Sequence, residues 1–160
     1  MLLLTVATLV LAWEFRAVLV TSDPWHYAQA ALDLGGHTWI PSGLTRWGII
    51  LPLVGVAAVF GATLPTFYAF AFLAVAVVVP VVYVLARWVG PPVVSALTVV
   101  AFVAMPLTFV NLSRGYPDLM AVALNGLTLI LVLIARDRDR VWPLFLAGLA
   151  AGWAFEVRET

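Results

Sequence analysis

Long apolar stretches dominate the chain and alternate with short polar turns. Five of them approach the roughly 20 residues that a helix needs to cross a hydrocarbon core of about 30 Å. Each is bounded by glycine, proline or charge, as helix ends usually are. The pattern therefore predicts five membrane-spanning helices, at residues 1–20, 66–86, 91–110, 117–135 and about 141–157.

A sixth apolar stretch, residues 48–60, is shorter than the others. It has 13 residues between Arg46-Trp47 and Gly61. This length is more typical of a buried, interfacial or re-entrant segment than of a membrane-spanning helix. The sequence therefore predicts a short apolar segment that does not cross the membrane.

The distribution of arginine favours the same topology, because cytoplasmic loops near span ends carry the excess of basic residues. If the N-terminus is cytoplasmic and 48–60 does not cross, Arg87 and the charged turn 136–140 lie in the cytoplasm. The loop 21–47, the turn around Arg114 and the residues from Glu156 onwards then face outwards. Most of the remaining polar chemistry is therefore expected on the outer face.

Composition supports a membrane protein and excludes several functional classes. Hydrophobic residues make up 64% of the chain and charged residues 10%, whereas soluble domains are about 45–50% apolar and about 25% charged. The net charge is zero and every basic residue is arginine, so no polybasic patch for nucleic acid exists. The absence of cysteine excludes disulfides and thiolate sites. The predicted fold is an all-α, polytopic transmembrane helical bundle, with an amphipathic juxtamembrane helix at 24–34 in the first outer loop.

The first polar cluster lies at the start of that juxtamembrane helix. Asp23 precedes Pro24, and proline suits the first position of a helix, so Asp23 is a natural N-cap. Capping alone is an equally good explanation of this aspartate. The functional alternative rests on spacing, because Asp23, His26 and Tyr27 lie at i, i+3 and i+4 and share one helical face. An acid, an imidazole and a phenol would then point together towards a cavity above the bilayer.

The second polar cluster, residues 111–118, joins the third and fourth predicted spans. Pro117 suits a helix start, and Asp118 then lies in the first turn, where the helix dipole favours a carboxylate. A surface ion pair between Asp118 and Arg114 would explain both residues without any function. The functional alternative rests on their depth, because ionisable groups beside apolar spans are costly and usually face a cavity.

The third polar cluster, Glu156, Arg158 and Glu159, closes the fifth predicted span. Arginine presents a planar fork of N–H donors that suits phosphate, which lysine binds only as a point charge. The simpler interpretation is an arginine that snorkels at a helix end.

Three other features have structural explanations. Gly148 and Gly152 form a Gly-xxx-Gly face, which predicts close packing against another helix. The turn 136–140 alternates in sign and is best explained as solvated. The two histidines, without cysteine, have no metal-ligand spacing of their own.

Taken together and in order, these motifs resemble the membrane-embedded GT-C glycosyltransferases, especially the bacterial branch similar to protein mannosyltransferases and aminoarabinose transferases. The resemblance covers essentially the whole chain. The stretches that carry it are Ser22-Asp23-Pro24 with Tyr27, Leu34-Gly35-Gly36, Leu112-Ser113-Arg114, Tyr116-Pro117-Asp118, 146–152 and Arg158-Glu159-Thr160.

The resemblance implies transfer of a sugar from a polyprenyl-phosphate-linked donor to an acceptor on the outer face of the membrane, with inversion at the anomeric carbon. It implies a multi-pass protein of the bacterial plasma membrane, with the lipid-linked donor and membrane lipid as partners and no nucleic acid. The acceptor and the sugar are not named by the sequence.

The resemblance also assigns roles to individual residues. Asp23 matches the first-loop acid, a candidate general base or acceptor-orienting group, and Asp118 matches the second acid; these two are the catalytic candidates. Arg114 and Arg158 would contact the lipid-linked phosphate. The full set of substrate-binding candidates is His26, Tyr27, Arg114, Arg158 and Glu159.

Two departures from the family pattern change these expectations. Many relatives follow the first acid with a second acid, whereas Pro24 stands at that place here, which counts against metal binding by neighbouring carboxylates. A divalent cation is the one cofactor that the sequence leaves open. Such enzymes also have many more spans, so we expect residues 1–160 to be the N-terminal part of a larger enzyme or a truncated relative.

An alternative from a different functional class is a non-catalytic membrane scaffold or subunit whose polar residues only cap helices. A small transporter or flippase is disfavoured, because the predicted spans carry almost no charge at mid-membrane depth. Replacement of Asp23 separates an enzyme from a scaffold, since only the enzyme loses activity while it stays folded.

Overall fold

The computed structural model describes residues 1–16, 23–35, 46–114 and 117–158, and in these ranges the protein is all-α, as the sequence predicts. Among the described residues, two helices, Pro65–Val89 and Asp118–Arg138, are long and apolar enough to cross a membrane. The helices are α1 (Leu2–Glu14), α2 (Asp23–Gly35), α3 (Trp47–Phe60), α4 (Leu64–Val89), α5 (Pro92–Ala104), α6 (Pro106–Arg114), α7 (Asp118–Arg138) and α8 (Trp142–Arg158).

The bounds of most helices follow the apolar segments of the sequence. α4, α7 and α8 begin and end within three residues of the segments predicted for them. α1 covers only the first part of the predicted segment 1–20, and residues 17–20 lie outside the described ranges. α2 and α3 occupy the predicted juxtamembrane and short apolar segments to within one residue at each end.

The predicted span 91–110 is not one continuous helix, so its prediction as a single helix was wrong, whereas a membrane crossing by this segment stays a prediction. α5 ends at Ala104 and α6 begins at Pro106, with Met105 extended between them at φ −61° and ψ 128°. Proline has no N–H to continue the helix, and its ring disfavours the α conformation for the residue before it. Pro106 therefore divides an otherwise continuous apolar stretch.

One apolar core joins the helices. Its buried residues come from every helix except α6 within the described ranges, and they include Tyr27 of α2, Ile50 of α3, Leu119 of α7 and Val157 of α8. Many large apolar side chains on the outer faces stay exposed. Examples are Leu2, Leu3, Val59, Val93, Leu107, Val141 and Phe145. Apolar exposure of this extent suits contact with lipid rather than water.

α7 and α8 form an antiparallel hairpin. α7 ends at Arg138, Asp139 adopts the left-handed conformation at φ 49° and ψ 49°, and α8 begins three residues later. Thr128 Oγ1 on α7 lies 3.5 Å from the carbonyl oxygen of Ala147 on α8. With 21 residues, α7 is about 31 Å long. The charged turn 136–140 therefore lies at one end of the hairpin, and the start of α7 and the end of α8 lie at the other.

The Gly-xxx-Gly face of α8 has no packing partner in the described part of the chain. A Cβ atom at Gly148 or Gly152 would meet nothing within 4 Å. The buried side of α8 instead carries Ala147, Ala150 and Ala154. The prediction of a packed glycine face is thus wrong for the helices that the structure describes, because α8 turns its alanines towards the core.

Candidate functional site

An acid and a base meet where α7 starts and α8 ends. The Nε atom of Arg158 lies 3.8 Å from Oδ1 of Asp118. The side chain of Asp118 is 39% exposed and that of Arg158 is 69% exposed. At this distance and exposure an ion pair contributes little to stability. Both groups therefore stay accessible to a ligand.

Local helix chemistry explains why these two residue types lie here. Asp118 is in the first turn of α7, and Arg158 is in the last turn of α8. The N-terminus of a helix carries partial positive charge and the C-terminus partial negative charge. Each side chain is thus favoured by its own helix, and the antiparallel hairpin brings the two ends together.

The last turns of α8 pack against the first turn of α3 at backbone distance. A Cβ atom at Gly48 would lie 2.7 Å from the backbone nitrogen of Val157 and 2.8 Å from the carbonyl carbon of Glu156. Side chains almost never approach so closely, so only glycine permits this contact. The indole Nε1 of Trp153 also donates a hydrogen bond of 2.8 Å to the carbonyl oxygen of Gly48. α3 is thereby joined to the helix turn that carries Arg158.

The sequence explains why the carbonyl of Gly48 accepts a hydrogen bond from outside its own helix. In an α-helix the carbonyl of residue i accepts from the N–H of residue i+4, and the residue four positions after Gly48 is Pro52, which lies inside α3. Proline has no N–H. The carbonyl of Gly48 thus lacks its helical donor, and the indole of Trp153 takes that place.

An open apolar groove lies beside this contact, between α3 and α8. Its volume is about 450 Å³. The groove is lined by Trp47, Gly48, Leu51, Pro52, Trp153 and Glu156. Glu156 is the single ionisable residue of this lining and precedes Arg158 by two positions. One end of the groove therefore lies next to the turn that carries the arginine.

α2 reaches the same end of the molecule through Tyr27. This side chain is 2% exposed and belongs to the apolar core. The guanidinium carbon of Arg46, the residue before α3, lies 5.5 Å from the centre of the Tyr27 ring, a distance at which cation and ring attract each other. His26 is exposed. The imidazole and the phenol thus have different surroundings, although they are neighbours on one helix.

The remaining predicted site residues are placed only by their backbone or lie outside the description. Asp23 is the first residue of α2 and Arg114 is the last residue of α6. The side chains of both, and the whole of Glu159, fall outside the described part of the chain. The structure brings Asp118 and Arg158 together, whereas the approach of Asp23 and the alternative pairing of Asp118 with Arg114 stay predictions.

A continuous chain of contacts nevertheless links α2 to the charged pair. Arg46 contacts Tyr27 and stands two residues before Gly48. Gly48 contacts Val157, the neighbour of Arg158. The end of α2 that begins with Asp23 is therefore tied, through α3, to the end of α8.

Sequence reasoning missed three residues of this region: Arg46, Gly48 and Trp153. The arginine was treated only as a boundary of the short apolar segment. Pro52, four residues after Gly48, was a usable indication that one carbonyl needs an outside donor. The donor itself is 105 positions away, so no local pattern could identify it.

No group of three or more histidines, aspartates and glutamates in the described ranges could hold a metal ion. The sequence predicted no definite cofactor and left only a divalent cation open, and that question is not decided here.

Comparison with known families supplies the identification. Residues 50–160 match the model of the family described as dolichyl-phosphate-mannose-protein mannosyltransferase. The chain belongs to this family. The match includes Asp118, Arg114, Trp153 and Arg158, whereas the residues of α2 precede it. The resemblance to GT-C membrane glycosyltransferases is thereby confirmed.

Comparison with curated proteins and with solved structures gives no significant match. The mannosyltransferase family implies membrane glycosyltransferase activity with a polyprenyl-phosphate-linked sugar donor.

Proposed function

We propose that the protein transfers a sugar from a polyprenyl-phosphate-linked donor to an acceptor on the outer face of the membrane, with inversion at the anomeric carbon. The observation that carries the proposal is the accessible approach of Arg158 to Asp118 at the end of the α7–α8 hairpin. Family membership supplies the donor class, and the charged pair supplies groups that can act on it.

The chemistry needs two kinds of group. The acceptor hydroxyl attacks the anomeric carbon from the face opposite the phosphate, and the bond between that carbon and the phosphate oxygen breaks. The hydroxyl proton passes to a carboxylate base, and the charge that develops on the leaving phosphate is stabilised by a guanidinium. The proposal assigns Arg158 to the phosphate, together with Arg114, and one of the two acids, Asp23 or Asp118, to the acceptor hydroxyl.

The groove between α3 and α8 supplies an apolar path for the prenyl chain of the donor. Trp47, Leu51, Pro52 and Trp153 offer it aromatic and aliphatic surface. The groove borders the turn that carries Arg158, so a phosphate held by this arginine leaves the prenyl chain free to lie along α3. In the proposed complex the charged and apolar parts of the donor are recognised at adjoining places.

The proposed orientation puts this end of the hairpin outside a bacterial plasma membrane that the protein crosses several times. The charged turn 136–140 supports it, because it lies at the opposite end of α7 and carries three arginines. An excess of arginine marks the cytoplasmic side.

We also propose that α3 does not cross the membrane. Its first turn packs on the last turn of α8, at the end of the hairpin that carries the charged pair. At the end of α1, Phe15 packs on Phe109 of α6, 5.5 Å between ring centres, shortly before α7 begins. Trp13 packs on Phe72 of α4 at 5.7 Å. These contacts support a start of α4 at the same end as the start of α3.

Cysteine labelling tests this topology, because the native chain contains no cysteine. A single cysteine at Ala62 or Thr63, which are exposed, should react with a membrane-impermeant maleimide added from outside. Labelling only after the cytoplasmic side is opened would contradict the non-crossing assignment.

Replacement of the acids tests the function. Membranes that contain the protein are given a polyprenyl-phosphate-linked, radiolabelled mannose, and transfer of label to cell-envelope material is measured. Asp118→Asn keeps the shape but removes the carboxylate, so transfer should fall by about 10²–10⁴-fold while the amount of folded protein is unchanged. Asp23→Asn is tested in parallel to show which acid matters more. Unchanged transfer in both variants would favour the non-catalytic scaffold.

A further inference from the structure

We propose that Gly48 and Trp153 are positioning residues: together they fix the last turn of α8 on α3 and so hold the guanidinium of Arg158 beside Asp118. Neither residue carries a group that would act on the phosphate or the acceptor hydroxyl, although the ring of Trp153 also lines the groove proposed for the prenyl chain. The inference rests on the proposed function, since it assigns a purpose to the position of Arg158.

The contact at Gly48 determines how close the two helices are. The neighbours of its missing Cβ include backbone atoms, at 2.7 Å and 2.8 Å, of residues 157 and 156. A flexible side chain can rotate away from a new methyl group, whereas a helix backbone can only shift as a whole. Any side chain at position 48 therefore pushes the end of α8 outwards, together with Arg158.

The hydrogen bond from Trp153 determines the register of the contact. It is a directional bond of 2.8 Å between α8 and the first turn of α3. Because Pro52 offers no N–H, the carbonyl of Gly48 is available to this indole rather than to its own helix. The turn between Trp153 and Arg158 is helical, so this bond and the glycine contact act on the same rigid piece of α8.

The charged pair is sensitive to such a shift. Its 3.8 Å separation is already near the outer limit for an ion pair. A displacement of about 1 Å can cost an enzyme about 100-fold in rate when it moves a reacting group out of place. A movement of the end of α8 should therefore weaken the hold on the donor phosphate before it affects the fold.

The first experiment compares two glycines of one helix. Gly48→Ala is set against Gly55→Ala, because a Cβ at Gly55 would meet nothing within 4 Å. With the polyprenyl-phosphate-linked mannose as varied substrate, Gly48→Ala should raise the KM for the donor at least tenfold, and Gly55→Ala should leave it within twofold. Equal kinetics of the two variants would overturn the inference.

The second experiment removes the indole N–H. Trp153→Phe keeps an aromatic ring, and Trp142→Phe, at another exposed tryptophan of α8, serves as control. We expect Trp153→Phe to raise the KM several-fold even for a donor of two isoprene units, whose short chain leaves most of the groove unused, and the control to leave it unchanged. This variant keeps the inference testable if Gly48→Ala does not fold.

A double variant tests whether Trp153 positions α8 on α3 or only supplies a hydrogen-bond donor to the carbonyl of Gly48. Pro52→Ala restores an N–H that the carbonyl of Gly48 can accept within α3. In Trp153→Phe/Pro52→Ala we expect thermal stability to recover while the KM for the donor of two isoprene units stays raised, because the link between the helices is still missing. Recovery of both would make the role of Trp153 purely structural and overturn its part of the inference.

The outcomes also separate this inference from the proposed function. If Asp118→Asn is inactive while Gly48→Ala and Trp153→Phe have normal kinetics, the positioning role falls and the function stands. If Asp118→Asn and Asp23→Asn are both fully active, the function falls, and the positioning role falls with it.

Discussion

In the described part of the chain, two helix contacts depend on a glycine, and they differ in what the glycine touches. At the contact of α4 with α7, a Cβ on Gly126 would overlap Cγ1 of Val81 and lie 3.5 Å from Cδ1 of Leu85. At the contact of α3 with α8, a Cβ on Gly48 would meet backbone atoms. The first glycine makes room for side chains, and the second lets two backbones meet.

The surroundings of the two contacts differ as well. Gly126 packs among aliphatic side chains in the middle of α7. Gly48 lies beside a hydrogen bond between helices, an apolar groove and, one residue beyond Val157, the arginine of the charged pair. Packing on side chains can be repaired by changing a neighbour, whereas packing on backbone cannot. We therefore expect a change at the α4–α7 contact to lower stability alone and a change at the α3–α8 contact to lower activity as well.

The largest expected effect lies at the charged end. Arg158→Ala removes the group assigned to the leaving phosphate and should lower transfer by about 10²–10³-fold, with thermal stability unchanged because the side chain is 69% exposed. Arg158→Lys should recover part of the rate, since lysine offers a point charge without the planar fork. Transfer rate and melting temperature in detergent are measured together.

Arg140→Ala is the control, because Arg140 is exposed at the opposite end of the hairpin. A similar loss of transfer in Arg140→Ala would show that the loss does not depend on which end of the hairpin carries the arginine. That result would contradict the assignment of Arg158 to the phosphate.

The second effect concerns stability at the other contact. Gly126→Ala should destabilise the protein by about 1–3 kcal/mol, because a methyl group is forced into a filled space. Transfer per folded molecule should stay normal. Val81→Ala removes the methyl groups that a Cβ at position 126 would overlap. In a denaturation experiment, the double variant should therefore recover much of the lost free energy of unfolding. Gly148→Ala, with open space at its Cβ, should cause no loss and should stabilise the protein by about 0.5–1 kcal/mol through helix propensity. A reduced donor affinity in Gly126→Ala would contradict the comparison.

The third effect extends the comparison to the groove beside α3 and α8. Leu51→Trp puts a larger side chain into the lining and should raise the KM for a long-chain polyprenyl donor about tenfold, which corresponds to about 1.4 kcal/mol. A donor with a prenyl chain of two isoprene units should be less affected. Val59→Trp, at an exposed position of the same helix, is the matched control. An equal effect on both donors would place the prenyl chain elsewhere.

The smallest effect concerns the second ion pair that the structure describes. Arg136 and Asp137 lie 3.1 Å apart, closer than Arg158 and Asp118, but their side chains are 72% and 46% exposed. Asp137→Asn should change the free energy of unfolding by no more than about 0.5 kcal/mol and leave transfer unchanged. A loss of transfer here would show that distance within a pair, rather than its place in the fold, decides function.

Much of the helical pattern was predictable from the chain alone. Apolar stretches bounded by proline, glycine and charge predicted α4, α7 and α8 to within three residues, because burial or lipid contact of continuous apolar surface requires helices at that length. The break at Met105 was missed, although Pro106 carries the local reason for it. That prediction gave the continuous apolar stretch more weight than the proline, whereas in the structure the helix ends just before Pro106.

The sequence predicted which residue types form the candidate site, but only part of their arrangement in space. Asp118 and Arg158 were both singled out, and their helix ends favour the charges that they carry. Their meeting depends on the turn at Asp139, which sends α8 back along α7. Tyr27 was expected in a cavity with His26, yet it is packed in the core. The i, i+3 and i+4 spacing shows that residues share one face of a helix, but it cannot show which part of that face a neighbouring helix covers.

The amino-acid sequence by itself determined the membrane character, the helices, the charges at their ends and the missing N–H of Pro52. Only the tertiary structure decided that Trp153 supplies the hydrogen bond that Pro52 cannot, and that the glycine at the backbone contact of α8 is Gly48 of α3 rather than Gly148 or Gly152. The physical reason is distance along the chain. Local propensities act over a few residues, whereas these contacts join positions about a hundred residues apart, and only the packing of the whole bundle selects them.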